Sequence, residues 1–332
     1  MPSLRVCAAL LFLVSPVHAQ THDWSAFNRD GIAAFRKHEF DEAETLFKSA
    51  MKAARKLESG KGVALGDATA NLAAVYQVTR RYPEAVDLYK NAVRLYEKNA
   101  PTGDPRLPDT LDKLGLLYGQ IYRFDDSHKA YRRVAALYER TSGSELDLAT
   151  VLEKMAGAAW NAGSYAQARA DLGSAMPGDI TQGPRQHGML AIELAPVPEG
   201  SAAPPLIIPV AADVNRTPPG SNMPKANPRT EEVIRLFQRA LTIREKALGT
   251  EHTLVAVSLH KLGWALAAAG DYPRSADALR RSLTIQEKAF GTESSQLETT
   301  LAEYVAVLAR VGDASEYSRR EQQLAKIRAH RP

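Results

Sequence analysis

Cations recur at one register of this chain. Lys113, Lys154 and Lys261 each stand immediately before the residue that fills the same core place of a helical pattern, with Arg29, Asn71 and Glu303 at the matching positions. Such a row can hold anions, lysine as a point charge and arginine as a planar fork that matches a carboxylate. Asn71 adds an amide able to hold a peptide backbone. Trp160 and Trp264 lie on the same stretches as Lys154 and Lys261, and tryptophan is a frequent anchor of binding surfaces. The competing reading is a solvated helix face with two ordinary core tryptophans.

No catalytic set accompanies the row. Gly60-Lys61-Gly62 lacks the preceding spacing and the Ser or Thr of a phosphate loop, and there is no G-x-S-x-G or H-E-x-x-H. His22, His38, His128, His187, His252, His260 and His330 are scattered, no two at i, i+3 or i, i+4, so no metal site is expected. Asp125-Asp126 and Glu231-Glu232 open helices, where carboxylates complement the positive helix end. Asn215-Arg216-Thr217 is a formal glycosylation sequon, relevant only in a eukaryotic secretory pathway. The sequence therefore predicts a protein that is not an enzyme and uses no cofactor.

The elements that must position the row repeat. Residues 241–251 read LTIREKALGTE and residues 283–293 read LTIQEKAFGTE, an offset of 42 residues. Val233, Leu236, Phe237, Ala240 and Leu241 form the stripe of an amphipathic helix, and Gly249 follows as a left-handed terminator. A second stripe, Val255, Leu259, Leu262 and Leu266, ends at Gly270. One period is a pair of helices, neither able to bury its face alone. The aromatic residue opening each second helix serves as a ruler: Phe40, Tyr82, Phe124, Tyr165 and Tyr272. Leu72, Leu114, Met155 and Leu262 mark the first helices, each followed by Ala73, Gly115, Ala156 or Gly263. A helical glycine costs about 1 kcal/mol against alanine, so Gly115 and Gly263 are read as close-packing positions. Tyr76 and Tyr118, on the same face as the leucines, are read as core.

The pattern L-G-x-x-Y, then Tyr-x-x-Ala after a turn, then a second helix with aromatic and alanine, resembles the tetratricopeptide repeat. The 42-residue period and the run ALTIREKALG at 240–249 are similar to its kinesin-light-chain subtype. Departures are His252-Thr253, where that family has His-Pro, and a last unit with Ala314 and Tyr317 in place of an aromatic and an alanine. The resemblance implies an all-α superhelix, a solenoid of about five to six helix pairs interrupted by a Pro/Gly-rich insert. It also implies that the first helices line a concave groove that binds peptides. Carried over by register, Arg29, Asn71, Lys113, Lys154 and Lys261 would form a mostly cationic strip with Trp160 and Trp264 as anchors. The ligand would be a peptide or protein segment, acidic ones included.

Residues 177–228 break the pattern. They hold eleven of the nineteen prolines, which end helices. The ruler places the next second helix at Thr230, so the insert is expected to replace one unit's first helix. Met189–Val197 and Leu206–Val214 are apolar enough for two short strands. The expected division is a leader at 1–19, helical blocks at 20–176 and 229–332, and the insert between. An alternative function is a subunit of an enzyme complex to which the 177–228 insert contributes a functional loop.

At the N-terminus Arg5, the apolar run Val6–Val14 and Val17-His18-Ala19 describe a secretory signal peptide cut after Ala19. Cys7, the only cysteine, would leave with it. The mature chain is expected to be periplasmic or secreted, with no membrane span. A net charge of +4, from 42 Lys and Arg against 38 Asp and Glu, is too small to argue for nucleic acid.

Overall fold

The computed structural model describes residues 24–57, 61–171 and 226–329. These form twelve α-helices and no strand: α1 (Trp24–Arg36), α2 (Phe40–Ala54), α3 (Lys61–Val78), α4 (Tyr82–Asn99), α5 (Arg106–Gln120), α6 (Phe124–Tyr138), α7 (Glu145–Asp171), α8 (Thr230–Leu248), α9 (Thr253–Ala268), α10 (Tyr272–Phe290), α11 (Glu298–Val311) and α12 (Ala314–Ala329). Each helix packs on the next, and first helices of adjacent units also touch, α1 on α3 and α9 on α11. The result is a solenoid of six helix pairs. The leader and the two apolar runs of the insert lie outside the described residues.

Most pairs close through the same turn. His38, Arg80, Tyr122 and Gly270 adopt φ of 65°, 63°, 62° and 80°. The following amide then reaches back five residues, Glu39 N to Ala34 O at 3.0 Å and Arg81 N to Tyr76 O at 2.7 Å, with Arg123 and Asp271 doing the same. This bond satisfies a carbonyl that the helix end would orphan. Gly249 has positive φ as expected, but its ψ of 159° lies outside the left-handed helical well. That extended, positive-φ region is one that essentially only glycine enters.

The fourth pair departs from the aromatic ruler. Tyr165 does not open a second helix; it lies inside α7, and α8 takes the second-helix place of the same unit. The insertion therefore separates the two helices of one pair instead of replacing a first helix. The physical reason is local. The residue two places before each helix-opening aromatic, His38, Arg80, Tyr122 or Gly270, takes positive φ and ends the first helix, whereas Gly163 at the same place stays helical inside α7. Gly163 is also held from the side. A Cβ there would lie 2.4 Å from Asn227 Oδ1, and Asn227 Nδ2 donates to Trp160 O and Ser164 Oγ, both at 3.1 Å.

The core runs between first and second helices. Leu72, Leu114, Met155 and Leu262 are all buried, as are Tyr76 and Tyr118. Gly115 and Gly263 are packing positions: a Cβ would sit 2.9 Å from the Tyr131 ring and 2.7 Å from Leu279 Cγ. Arg81 stacks on the Tyr76 ring at 3.7 Å and Arg123 on Tyr118 at 4.6 Å, which ties each turn to the core beneath it.

Candidate peptide-binding face

The expected row exists as a register, but most of its members are paired across units. Lys154 Nζ on α7 donates to both oxygens of Asp112 on α5, at 2.6 and 2.8 Å. Lys261 Nζ on α9 donates to Glu153 Oε2 on α7 at 2.5 Å. Asn71 Nδ2 on α3 donates to Asn28 Oδ1 on α1 at 2.8 Å. On α11 Glu303 Oε2 lies 2.8 Å from His260 Nε2 of α9. Every rung joins a row residue to the residue one position before the row on the preceding first helix. The strip read as mostly cationic is thus a charge-paired ladder, because the one-unit spacing that aligns the lysines also aligns the acids beside them. Asn28, Asp112, Glu153 and His260 carry those rungs, and sequence reasoning passed over them. The signal was there: each directly precedes Arg29, Lys113, Lys154 or Lys261.

Two row members have no such rung. Arg29 stands on the first described helix, with side chain 76% exposed and Asp30 as its ion-pair partner among the described residues, at 3.5 Å. It lines a shallow depression of about 390 Å³ along α1 with Trp24, Asn28, Ile32 and Arg36. At Lys113 the preceding helix offers Ala70, which has no polar group. Its ammonium turns instead to Asp109 Oδ2 of its own helix, at 2.7 Å. An exposed i, i+4 pair of this type contributes about 0.3–0.5 kcal/mol, so it yields readily to a better-placed carboxylate.

One turn before Asn71, Asp67 accepts from Tyr96 Oη at 2.7 Å and from Arg106 Nη1 at 3.3 Å. Burial pushes its carboxyl above the ordinary range, against the pull of Tyr96 and Arg106. Trp160 and Trp264 meet edge to face with centroids 4.4 Å apart, and both pack on the central core. They brace α7 against α9 while staying half-buried. Among the described residues there is no cluster of His, Cys, Asp or Glu able to hold a metal, and no helix long and apolar enough to cross a membrane.

A family model described as tetratricopeptide repeat matches residues 26–98, 65–140 and 229–288, together more than half of the chain. Among solved structures, the chain is similar to a Podosopora anserina kinesin-light-chain candidate with nearly identical TPR-like repeats, at 16% identity and a TM-score of 0.52, covering 80% of this chain and 95% of that one. It is likewise similar to BtubC (BKLC) from P. vanneervenii, at 16% identity, a TM-score of 0.54 and coverage of 88% and 94%. The apo form of RapI gives 11% identity, a TM-score of 0.52 and coverage of 92% and 76%. These likenesses concern the fold. No curated protein matches the sequence.

Proposed function

The chain belongs to the tetratricopeptide-repeat family, and from that premise we propose that it is a non-enzymatic scaffold holding a peptide segment of a partner protein along the row of first helices. The break in the ladder at Lys113 carries this reading. Asp112 and Glu153 supply carboxylates to the lysines of the next two units. At Ala70 the chain supplies none, so the partner's Asp or Glu completes the rung. Asn71 stands beside Ala70 on α3, the first helix before that contact.

The probe is a fluorescein-labelled octaglutamate, with octaglutamine as its uncharged control. Lys113→Glu is expected to abolish octaglutamate binding with the helical circular dichroism retained. Ala70→Asp, which fills the rung from within, is expected to weaken binding at least tenfold. Unchanged binding by a folded Lys113→Glu variant overturns the proposal, and so does equal affinity for octaglutamine.

Export belongs to the same reading. Arg5, the apolar run Val6–Val14 and the small residues near Ala19 support a leader. N-terminal sequencing of the protein from its native compartment is expected to begin at Gln20. A chain retaining Met1 there removes the leader from the proposal.

A further inference from the structure

Helices α1–α7 precede residues 172–225 and helices α8–α12 follow them, and the two runs meet around one buried carboxylate. Glu153 on α7 is 3% exposed. Its Oε1 accepts from Arg244 Nη1 of α8 at 2.5 Å and from Ser258 Oγ of α9 at 2.7 Å. Its Oε2 accepts from Lys261 Nζ of α9 at 2.5 Å. Arg244 is itself buried, with Nη1 also on Leu254 O and Nη2 on Thr150 Oγ1, both at 3.4 Å. All three donors come from helices after residue 225, and the acceptor from a helix before residue 172.

This knot stands where the usual device is missing. The other first helices are held to their second helices by turns of two or three residues, but α7 and α8 are not. One unit later the matching places hold His260, Gln286, Thr300 and Glu303, none of them an arginine, and Gln286 Nε2 donates to Thr300 Oγ1 at 3.1 Å. The apolar surround is shared as well: Leu152 and Ala156 of α7 lie in one core with Phe237 of α8 and Leu259 of α9. A buried ion pair adds little net stability over apolar packing, but breaking one strands a charge. A slip of α8 by one turn would leave Glu153 or Arg244 unpaired, which lowers that arrangement's population about a hundredfold or more.

We infer that α7 and the α8–α9 pair form a self-sufficient docking interface keyed by Glu153, so that the two helical runs stay one body when the chain is interrupted within residues 172–225. That segment can then be cut, lengthened or exchanged without dismantling the row of first helices.

The test divides the full chain into Met1–Gly200 and Ser201–Pro332, coexpressed with a tag on the second and no residue omitted. The two are expected to co-purify in equal amounts with the helicity of the intact chain. Glu153→Ala, which leaves the buried Arg244 and the partly buried Lys261 without their shared carboxylate, is expected to weaken the association at least tenfold on dilution. Recovery of the tagged piece alone overturns the inference, as does a complex that Glu153→Ala leaves equally tight. In the undivided chain, urea unfolding followed by tryptophan fluorescence is expected to be one transition that Arg244→Met splits into two. A single transition with an unmoved midpoint in Arg244→Met overturns the keying role.

Discussion

Residues 241–251 and 283–293 spell nearly one phrase, yet the two copies send their charges to different neighbours. In the first, Arg244 is buried against Glu153, while Glu245 next to it meets Arg281 Nη2 at 2.6 Å near the surface. In the second, the arginine is replaced by Gln286, which makes neutral hydrogen bonds to Ser282 and Thr300. There the adjacent Glu287 carries the load, accepting from Arg320 Nη1 at 2.5 Å and Gln323 Nε2 at 2.8 Å on the last helix. The shared letters fix the helix and its packing. The change from Arg244 to Gln286 removes the buried charge on one side of the helix, and Arg320 of α12 supplies one on the other. The first copy locks the junction of the two helical runs, and the second locks the terminal helix.

The largest effect that could break this comparison is expected at Glu153. Its replacement by alanine strands two cations and is expected to cost about 3–5 kcal/mol in chemical unfolding. Thr300→Ala, at the matching neutral contact, removes one ordinary hydrogen bond and is expected to cost about 1 kcal/mol. Equal losses would mean that the two copies do the same work. A smaller effect separates the glycines from their alanine counterparts. Ala156 is fully buried on α7, but at Gly263 the added Cβ meets Leu279 Cγ at 2.7 Å. Gly263→Ala is expected to cost about 1–3 kcal/mol through overpacking, read as a lowered unfolding midpoint.

The repeat was legible because helix pairing is written in local letters. Leucine at one place, glycine or alanine after it and an aromatic 42 residues from the last suffice to dictate a stack, and Gly115 and Gly263 could be read as contacts from their cost alone. Tyr165 misled because its Gly-Ser-Tyr lead-in matches the Gly-Asp-Tyr of α10, yet Gly270 turns with positive φ while Gly163 stays in the helix. The charge pairing was illegible for a different reason. Lys154 and Asp112 are 42 residues apart, so the acid that neutralises each lysine belongs to another unit, and a search for isolated cations passes over it. The described residues place Arg29, Asn71, Lys113, Lys154 and Lys261 on successive first helices. The break at Ala70 became visible only once the other rungs were in view.

The outer side of the junction offers a pH-dependent contrast. His128 on α6 is buried, with Nε2 3.0 Å from Glu232 Oε1 of α8 but not aligned for a hydrogen bond. Burial lowers its pKa first of all, helped by Arg229 and Arg132 and opposed by Glu232. With the folded value below the unfolded one, the unfolded chain binds the extra proton first as pH falls. The stability is therefore complete above about pH 6.5, the ordinary histidine value, and declines as pH drops below it. The second copy has Ile234 and Arg274 at these two places and no titrating pair. The urea midpoint is expected to fall between pH 7 and pH 5 in the parent chain, and to fall less in His128→Gln. Equal slopes would remove His128 from the comparison.

The smallest expected effect concerns the shared glutamate. Glu245 and Glu287 occupy the same place in the phrase, but Arg281 is about half exposed where it meets the first, whereas Arg320 is mostly buried where it meets the second. In water-accessible surroundings the attraction is screened and two long side chains lose rotamer freedom, so Arg281→Ala is expected to change stability by about 0.5 kcal/mol or less. Arg320 also holds Glu316 Oε1 at 2.8 Å and Gln323 Oε1 at 2.8 Å, so its removal leaves several polar groups without partners in a half-buried place. A loss for Arg281→Ala comparable to that for Arg320→Ala, measured side by side in urea, would show that burial does not decide between the two copies. A negligible loss at Arg281 beside a clear one at Arg320 would show that the same glutamate is ornamental in one unit and structural in the next, set apart only by what the following helix brings to it.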